Sequence, residues 1–289
     1  MQEIAPGTAH ARAKRAIESG QVSVDGAVVT DPGAWIDAAA AVDWQRDRPR
    51  ERSPRQLRVE LLHADADVAV VVKPAGLLSV PTPEREKDTL LSRVALAVTR
   101  RLGSRPFLAV VHRLDRDTSG LCVFATSRRA QAALQGQLLR RSMTRVYEAV
   151  VAGRLAGEAG SFTQPLVGDG VHRRRWVARP GEAGKPAVTH WRVLERFARA
   201  THVEVALETG RTHQIRIHFA AAGHPVLGEA VYRVEGADPH PGAIARQALH
   251  AREIAFRHPA DDRELRFEAP PPEDFARLLA RLREGGHPR

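Results

Sequence analysis

The sequence predicts a protein that mixes helices with strands, and three observations carry that prediction. From Leu57 onward, short β-branched runs bounded by polar residues, glycine or proline recur along the chain. Two segments, Thr89 to Arg101 and Ser127 to Arg141, instead read as helices, the second capped by Ser127. The length of 289 residues, 43% of them hydrophobic, suits one large domain with an ordinary core plus a smaller unit. No internal repeat is visible.

In chain order, residues 1–44 form a small unit. Thr8 caps a short basic helix carrying Arg12, Lys14 and Arg15, which Gly20 stops; Val22, Val24, Gly26 and Val28 then follow at hairpin spacing. Residues 45–56 hold Pro49, Pro54 and five arginines with no apolar face, so they read as an exposed linker. Residues 57–285 make up the large domain. It begins with an apolar strand, Val68 to Val72, that runs into Lys73-Pro74-Ala75-Gly76. After the helix from Thr89, the runs Leu108 to Val111 and Leu121 to Ala125 read as buried strands around a charged loop. The helix from Ser127 sets Ala130, Leu134 and Leu138 on one face against Arg128, Arg129, Arg140 and Arg141. A strand over Met143 to Val150 contains Tyr147, one of two tyrosines in the chain. Further on, Val203, Val205 and Leu207 alternate with His202, Glu204 and Glu208 as in a half-buried strand. Thr212 is placed to cap a helix whose Ile215, Phe219 and Ala222 share a face and which Gly223 and Pro225 end. The stretches Ala248 to Pro259 and Leu265 to Pro270 precede an amphipathic helix from Glu273 to Arg283.

Charge and composition narrow the function. Lys and Arg number 44 against 34 Asp and Glu, a net charge of +10, which is the footprint of a nucleic-acid partner. No apolar run approaches the roughly 20 residues of a membrane span and no apolar signal core opens the chain, so a cytoplasmic protein is expected. The single Cys122 falls in a predicted buried strand and reads as inert core. The 13 histidines are scattered without a Cys/His cluster, so no metal or other cofactor is expected.

The chemistry concentrates in His112-Arg113-Leu114-Asp115-Arg116-Asp117-Thr118-Ser119-Gly120-Leu121. A loop between two buried strands is a rigid mount, and it places Asp115 where a nucleophile can sit. The same Asp, Thr, Ser and Gly residues also suit a plain hydrogen-bonded turn. A second cluster, Thr209-Gly210-Arg211-Thr212-His213-Gln214-Ile215-Arg216, puts Arg211 at a strand-to-helix junction. Its charge would add to a positive helix N-terminus and favour an anion, either Asp115 or a phosphate. A third, His172-Arg173-Arg174-Arg175-Trp176, joins three cations to an aromatic, a mix that can bind phosphates and stack a base or form an ordinary hairpin edge.

Together HRLDRDTSGL, TGRTHQIR, the strand with Tyr147 and the KPAG turn resemble the RluA-type RNA pseudouridine synthases, over about residues 57–275. The resemblance implies an α+β fold, with a mostly antiparallel mixed β-sheet, peripheral helices and a central RNA-binding cleft. It implies that Asp115 is the catalytic residue, that Arg211 pairs with it, that Tyr147 stacks on the target base and that Arg113 helps displace that base. Residues 8–28 resemble a truncated S4-like RNA-binding unit without its usual first helix. RNA contacts are then expected from Arg12, Lys14, Arg15, Arg173, Arg174 and Arg175, and from Lys73, which sits at a strand end with solvent as its alternative.

The expected reaction breaks the N1–C1′ bond of a uridine, turns the base and rejoins it through C5. It needs an ionised carboxylate and neither metal nor nucleotide cofactor. The expected substrate is ribosomal RNA, with transfer RNA second, acted on by a monomer. Two other readings are a noncatalytic RNA-binding protein on the same basic surface and a magnesium-dependent phosphatase. The latter would use the DxDxT-like Asp115-Arg116-Asp117-Thr118 with Asp261 and Asp262 as metal ligands.

Overall fold

A run such as Val68-Ala69-Val70-Val71-Val72, apolar at every position, forms a stable strand only if both of its faces are covered. A computed structural model of the chain describes residues 13–14, 16–17, 20–29, 36–37, 39–45, 59–82, 86–168, 175–234 and 244–285, and it meets that requirement. Strands β4 (Glu60–Ala64) and β5 (Val68–Lys73) form a hairpin, followed by helix α1 (Leu90–Leu102), β6 (Ala109–Val110), β7 (Ser119–Ala125) and helix α2 (Arg128–Leu139). Along β5, Ala69 and Val71 pack with Val94 and Val98 of α1, while Val68 and Val70 pack with Ala130 and Leu134 of α2. One helix therefore covers each face. Burying each of these valines and leucines is worth about 1.5–3 kcal/mol.

Side chains cap both helices, Ser127 as expected. Thr89 and Ser92 form a reciprocal capping box on α1, which Gly103 ends in a left-handed conformation, and the Ser127 hydroxyl accepts the Ala130 N–H at the start of α2. Cys122 is a buried free thiol in β7.

Ahead of these elements lie β1 (Val22–Val24), β2 (Ala27–Val29) and β3 (Val42–Trp44), which form a separate antiparallel sheet in the order β2-β1-β3. Ala13, Lys14, Ala16 and Ile17 are helical. Arg12, Arg15 and residues 46–56 of the predicted linker lie outside the described residues.

Beyond α2 come β8 (Thr144–Ala152), β9 (Ala159–Phe162), β10 (Leu166–Gly168), β11 (Arg175–Val177), β12 (Thr189–Arg196), β13 (Ala200–Leu207), helix α3 (Gln214–Ala221), β14 (Leu249–Arg257), β15 (Glu264–Glu268) and helix α4 (Glu273–Glu284). The main sheet has ten strands. Its central path is β4-β5-β7-β14-β8-β13-β12-β9, with β15 joined to β14 and β6 to β7. All the pairings are antiparallel except β7 with β14, so the sheet is mixed but mostly antiparallel, as expected. Phe219 of α3 and Phe275, Leu278 and Leu282 of α4 close a second core with Val203 and Val205 of β13.

The parallel β7–β14 contact is unusually close at one point. Gly120 has φ +113°, and a Cβ there would lie 2.6 Å from the Ala251 backbone nitrogen and closer still to its carbonyl. Only glycine accommodates both the dihedral and the approach. The approach fixes the start of β7, and with it the end of the loop that carries Asp115.

Candidate active site

The loop between β6 and β7 is held on several sides. The Ser79 hydroxyl donates to the Leu114 carbonyl at 2.6 Å and accepts the Leu114 N–H at 3.1 Å, clamping the residue before Asp115. The Thr118 N–H returns to the Asp115 carbonyl at 3.2 Å. Arg246, itself forked onto Asp274, donates to the Asp117 carbonyl, and Gln247 donates to the Thr118 hydroxyl. Asp117 is surrounded by cations, yet burial dominates and holds its carboxyl above the usual aspartate value. His112 is held neutral, its pKa pulled down to about 3 by burial and then by the nearby Arg145 charge; its Nε2 faces the Val123 N–H.

Lys73 belongs to this scaffold rather than to an RNA-facing surface. It is fully buried, and its ammonium donates to the carbonyls of Pro74, Leu77 and Arg116 at 2.9, 2.8 and 2.6 Å. Loss of water pulls its pKa down to about 7, while three carbonyl oxygens match its three N–H donors. The expectation that Lys73 contacts RNA is corrected: the strand end it occupies is folded under the loop that carries Asp115, where it ties the KPAG turn to Arg116.

Asp115 meets its cation from α3, and that cation is Arg216, not Arg211. Arg216 Nη1 donates to Asp115 Oδ2 at 3.0 Å. The opposite edge of the guanidinium forks onto Glu229, with Nε to Oε2 at 2.6 Å and Nη2 to Oε1 at 2.7 Å. Glu229 Oε1 also accepts the N–H groups of Val231 and Tyr232. Burial alone would raise the Glu229 carboxyl, but the Arg216 fork and these N–H groups outweigh it, and the group lies below the usual glutamate value. Arg211 points elsewhere: its Nε donates to the Pro186 carbonyl and the side chain is exposed. The physical reason lies in the helix start. His213, at φ 59°, occupies the N-cap position and not Thr212, and the first turn is closed by Gln214, whose Oε1 accepts from the Arg211 N–H and the Thr209 hydroxyl. Arg211 thus precedes the helix, whereas Arg216 lies within it, facing the loop.

His213 Nε2 stands 3.8 Å from Asp115 Oδ1, and its Nδ1 hydrogen-bonds the Tyr232 hydroxyl at 2.8 Å. Burial keeps this imidazole below its ordinary pKa, against the pull of Asp115. Tyr232 also lies beneath Arg216, whose guanidinium carbon is 5.3 Å from the ring centre.

A cleft of about 510 Å³ opens over this arrangement, with Asp115, Tyr147, Arg216, His213, Arg113 and Arg145 among its walls. Tyr147 projects from β8 with 6% of its surface exposed, and burial pushes its phenol up to about 12. It therefore stays protonated. Arg113 is exposed and reaches the Thr212 hydroxyl across the cleft at 3.5 Å. Of the RRR cluster, Arg175 is half-buried in β11, and Arg173 and Arg174 lie outside the described residues. Trp176 donates from Nε1 to Glu182. Asp261 pairs with His258 and Arg263, away from the Asp115 loop, and no group of three or more metal-ligating side chains occurs among the described residues.

Comparison with known proteins decides the family. The family model described as RNA pseudouridylate synthase matches residues 67–221, more than half of the chain. The chain belongs to the RNA pseudouridylate synthase family. A protein of Pseudomonas aeruginosa named ribosomal large subunit pseudouridine synthase D is 37% identical over 287 residues, covering 95% of this chain and 88% of its own. One of the same name from Nitrosomonas europaea is 35% identical, covering 99% of this chain and 84% of its own. A solved human structure, RNA Pseudouridylate Synthase Domain Containing 4, shares the fold with a TM-score of 0.63 at 24% identity, over 78% of this chain and 93% of that one. The synthase is thus an isomerase that converts uridine to pseudouridine in RNA, which removes the phosphatase and noncatalytic readings. Among its described residues no helix is long and apolar enough to cross a membrane.

Sequence reasoning passed over Arg216, Glu229, His213 and Tyr232. One signal for Arg216 was available. Its helix reads Ile215-Arg216-Ile217-His218-Phe219-Ala220-Ala221, and an arginine in so apolar a segment calls for a carboxylate partner.

Proposed function

We propose that the synthase acts on large-subunit ribosomal RNA, with Asp115 as its catalytic carboxylate. The observation that carries this is the Asp115–Arg216–Glu229 chain at the wall of a cation-lined cleft. Arg216 fixes the rotamer through which the Asp115 carboxylate meets a uridine turned into the cleft. In the reaction the N1–C1′ bond breaks and a C5–C1′ bond forms. C5 loses its proton and N1 gains one, so no atoms or electrons are exchanged with a cofactor. Tyr147 offers an aromatic edge beside the base, and Arg113, at the rim, is positioned to fill the space that the base vacates. The names of the bacterial relatives support ribosomal over transfer RNA.

The reading has three further parts. The residues before the main domain act as an S4-like RNA-binding unit (1–44) on a basic linker (45–56), ahead of a catalytic domain spanning 57–285. Lys14 and Arg175 are RNA contacts, with Arg12, Arg15, Arg173 and Arg174 as their neighbours in sequence. The protein works as a cytoplasmic monomer.

The test is conversion of purified ribosomal and transfer RNA by wild type and Asp115→Asn, with pseudouridines mapped at nucleotide resolution. Wild type should convert ribosomal RNA, and the variant neither. Conversion of transfer RNA alone would overturn the substrate, and turnover by Asp115→Asn above about one-tenth of wild type would overturn the role of Asp115.

A further inference from the structure

Three arginines are buried among the described residues, and they differ in what they face. Arg216 holds Glu229 and Asp115, and Arg246 holds Asp274. Arg145 has 7% of its surface exposed and no carboxylate within ion-pair distance among the described residues. Its Nη2 donates to the carbonyls of Leu207 and Glu208 at 3.4 and 3.2 Å, both long, and its buried Nε has no hydrogen-bond partner. The Glu208 carboxylate, whose backbone carbonyl Arg145 reaches, is taken by Arg141 and His190, and that of Glu148, three residues along the strand, by His202 and Arg252. Burying a guanidinium without a counter-charge is costly, and groups left so in a folded chain cluster at functional sites.

Its position says what it awaits. Arg145 and Tyr147 are two residues apart on β8, so both side chains leave the same face of the sheet, and both line the cleft with Asp115. Residues i and i+2 of a strand lie roughly 6.5–7 Å apart. That is about the span from a nucleobase to the phosphate of its own or a neighbouring nucleotide. Gly210 closes the other side: a Cβ there would come within 2.6 Å of Arg145 Nη1, so the bare backbone at 210 leaves the guanidinium its place. The planar fork suits a phosphate better than a lone ammonium would.

We propose that Arg145 is a buried phosphate subsite, gripping a backbone phosphate of the RNA strand next to the uridine that Asp115 attacks. This rests on the cleft being the site of uridine isomerisation and deepens that reading. Unlike the exposed Arg113 and Arg211, Arg145 engages only a strand already inserted into the cleft. It therefore registers the target nucleotide beside Tyr147 and contributes to binding more than to the chemical step.

The experiment uses the full-length protein and an RNA fragment that wild type converts, made with single neutral methylphosphonate linkages on either side of the target uridine. Arg145→Gln should raise KM about tenfold with kcat within about threefold, and should reduce the log–log salt slope of binding by about 0.7, one single-strand phosphate contact. One methylphosphonate should cost wild type about tenfold in KM and cost Arg145→Gln less than twofold, with Arg145→Lys between the two. Should Arg145→Gln fail to fold, the wild-type scan decides alone: a linkage beside the uridine must show the loss, and tolerance of every neutral linkage overturns the proposal. Independent, multiplying losses from the variant and the linkage overturn it as well. If wild type converts no RNA, the isomerase reading of the cleft falls first, an outcome distinct from normal conversion with an indifferent Arg145.

Discussion

Arg216 bridges two carboxylates, donating to Asp115 Oδ2 at 3.0 Å with one nitrogen and forking onto Glu229 with its other edge. Glu229 orients the guanidinium, and the guanidinium orients Asp115. With its side chain 6% exposed, Arg216 makes this bridge largely out of water, where charge interactions are screened less.

Arg216→Lys should therefore abolish most turnover while the exposed Arg211→Lys leaves it intact. A lysine cannot hold both carboxylates at once, so Asp115 loses its fixed rotamer. At saturating RNA, kcat should fall about 100-fold or more for Arg216→Lys, in the range seen when one preorganised donor is removed. For Arg211→Lys it should stay within about twofold. Single-turnover measurements check this, and the reverse ranking would restore Arg211 as the partner of Asp115.

Glu229→Gln tests the far end of the bridge through pH. In the folded protein the Glu229 carboxyl lies below the ordinary glutamate value, despite burial, because of Arg216 and two backbone N–H groups. A depressed carboxyl stabilises the fold at pH values above its unfolded pKa of about 4.3, and that contribution is lost as pH falls through the folded value. Thermal unfolding should show Glu229→Gln less stable than wild type at pH 7, with the gap narrowing from about pH 4 downward. A constant gap from pH 7 to 3 would mean that Glu229 contributes no charge-dependent stability.

The legible parts of this protein were those written in contiguous sequence. Asp115 stood out because its whole loop and both flanking strands lie within a few residues, and the cap at Ser127 is a local hydrogen bond. Arg216 and Arg211 sit in one motif and carry one charge each. Choosing between them depends on where α3 begins, which the Gln214 side chain decides by closing the turn ahead of it. Lys73 misled because a lysine at a strand end is normally solvated. Here the partner carbonyl of Arg116, 43 residues away, lies over it. Glu229 lies in an irregular segment with no periodicity to mark it.

Asp115→Asn should separate chemistry from binding. The substitution removes the carboxylate but keeps the size of the side chain and one acceptor toward Arg216, so RNA affinity should change by less than about threefold, under roughly 1 kcal/mol. Filter binding on the same RNA used for the conversion assay gives the comparison. A tenfold loss of affinity together with the loss of turnover would make Asp115 a contributor to RNA binding as well as to the reaction.

Gly120→Ala probes the mount rather than the chemistry. At φ +113° an alanine is strained, and its Cβ would overlap the Ala251 backbone, so either β14 must move away from β7 or the loop carrying Asp115 must shift. Both faces of that junction are packed, with Ser119 bonded to His250 and His250 bonded onward to the Ala269 carbonyl, so the clash has no soft side chain to absorb it. The expected cost is at least about 3 kcal/mol, or a drop in Tm of roughly 10 °C for a domain of this size. Turnover per folded molecule should fall with it, because Asp115 lies only five residues ahead of Gly120 and a shift of about 1 Å at a reacting carboxylate is enough to cost about 100-fold. Wild-type stability and turnover in Gly120→Ala would mean that the close β7–β14 approach is not what holds the Asp115 loop in place.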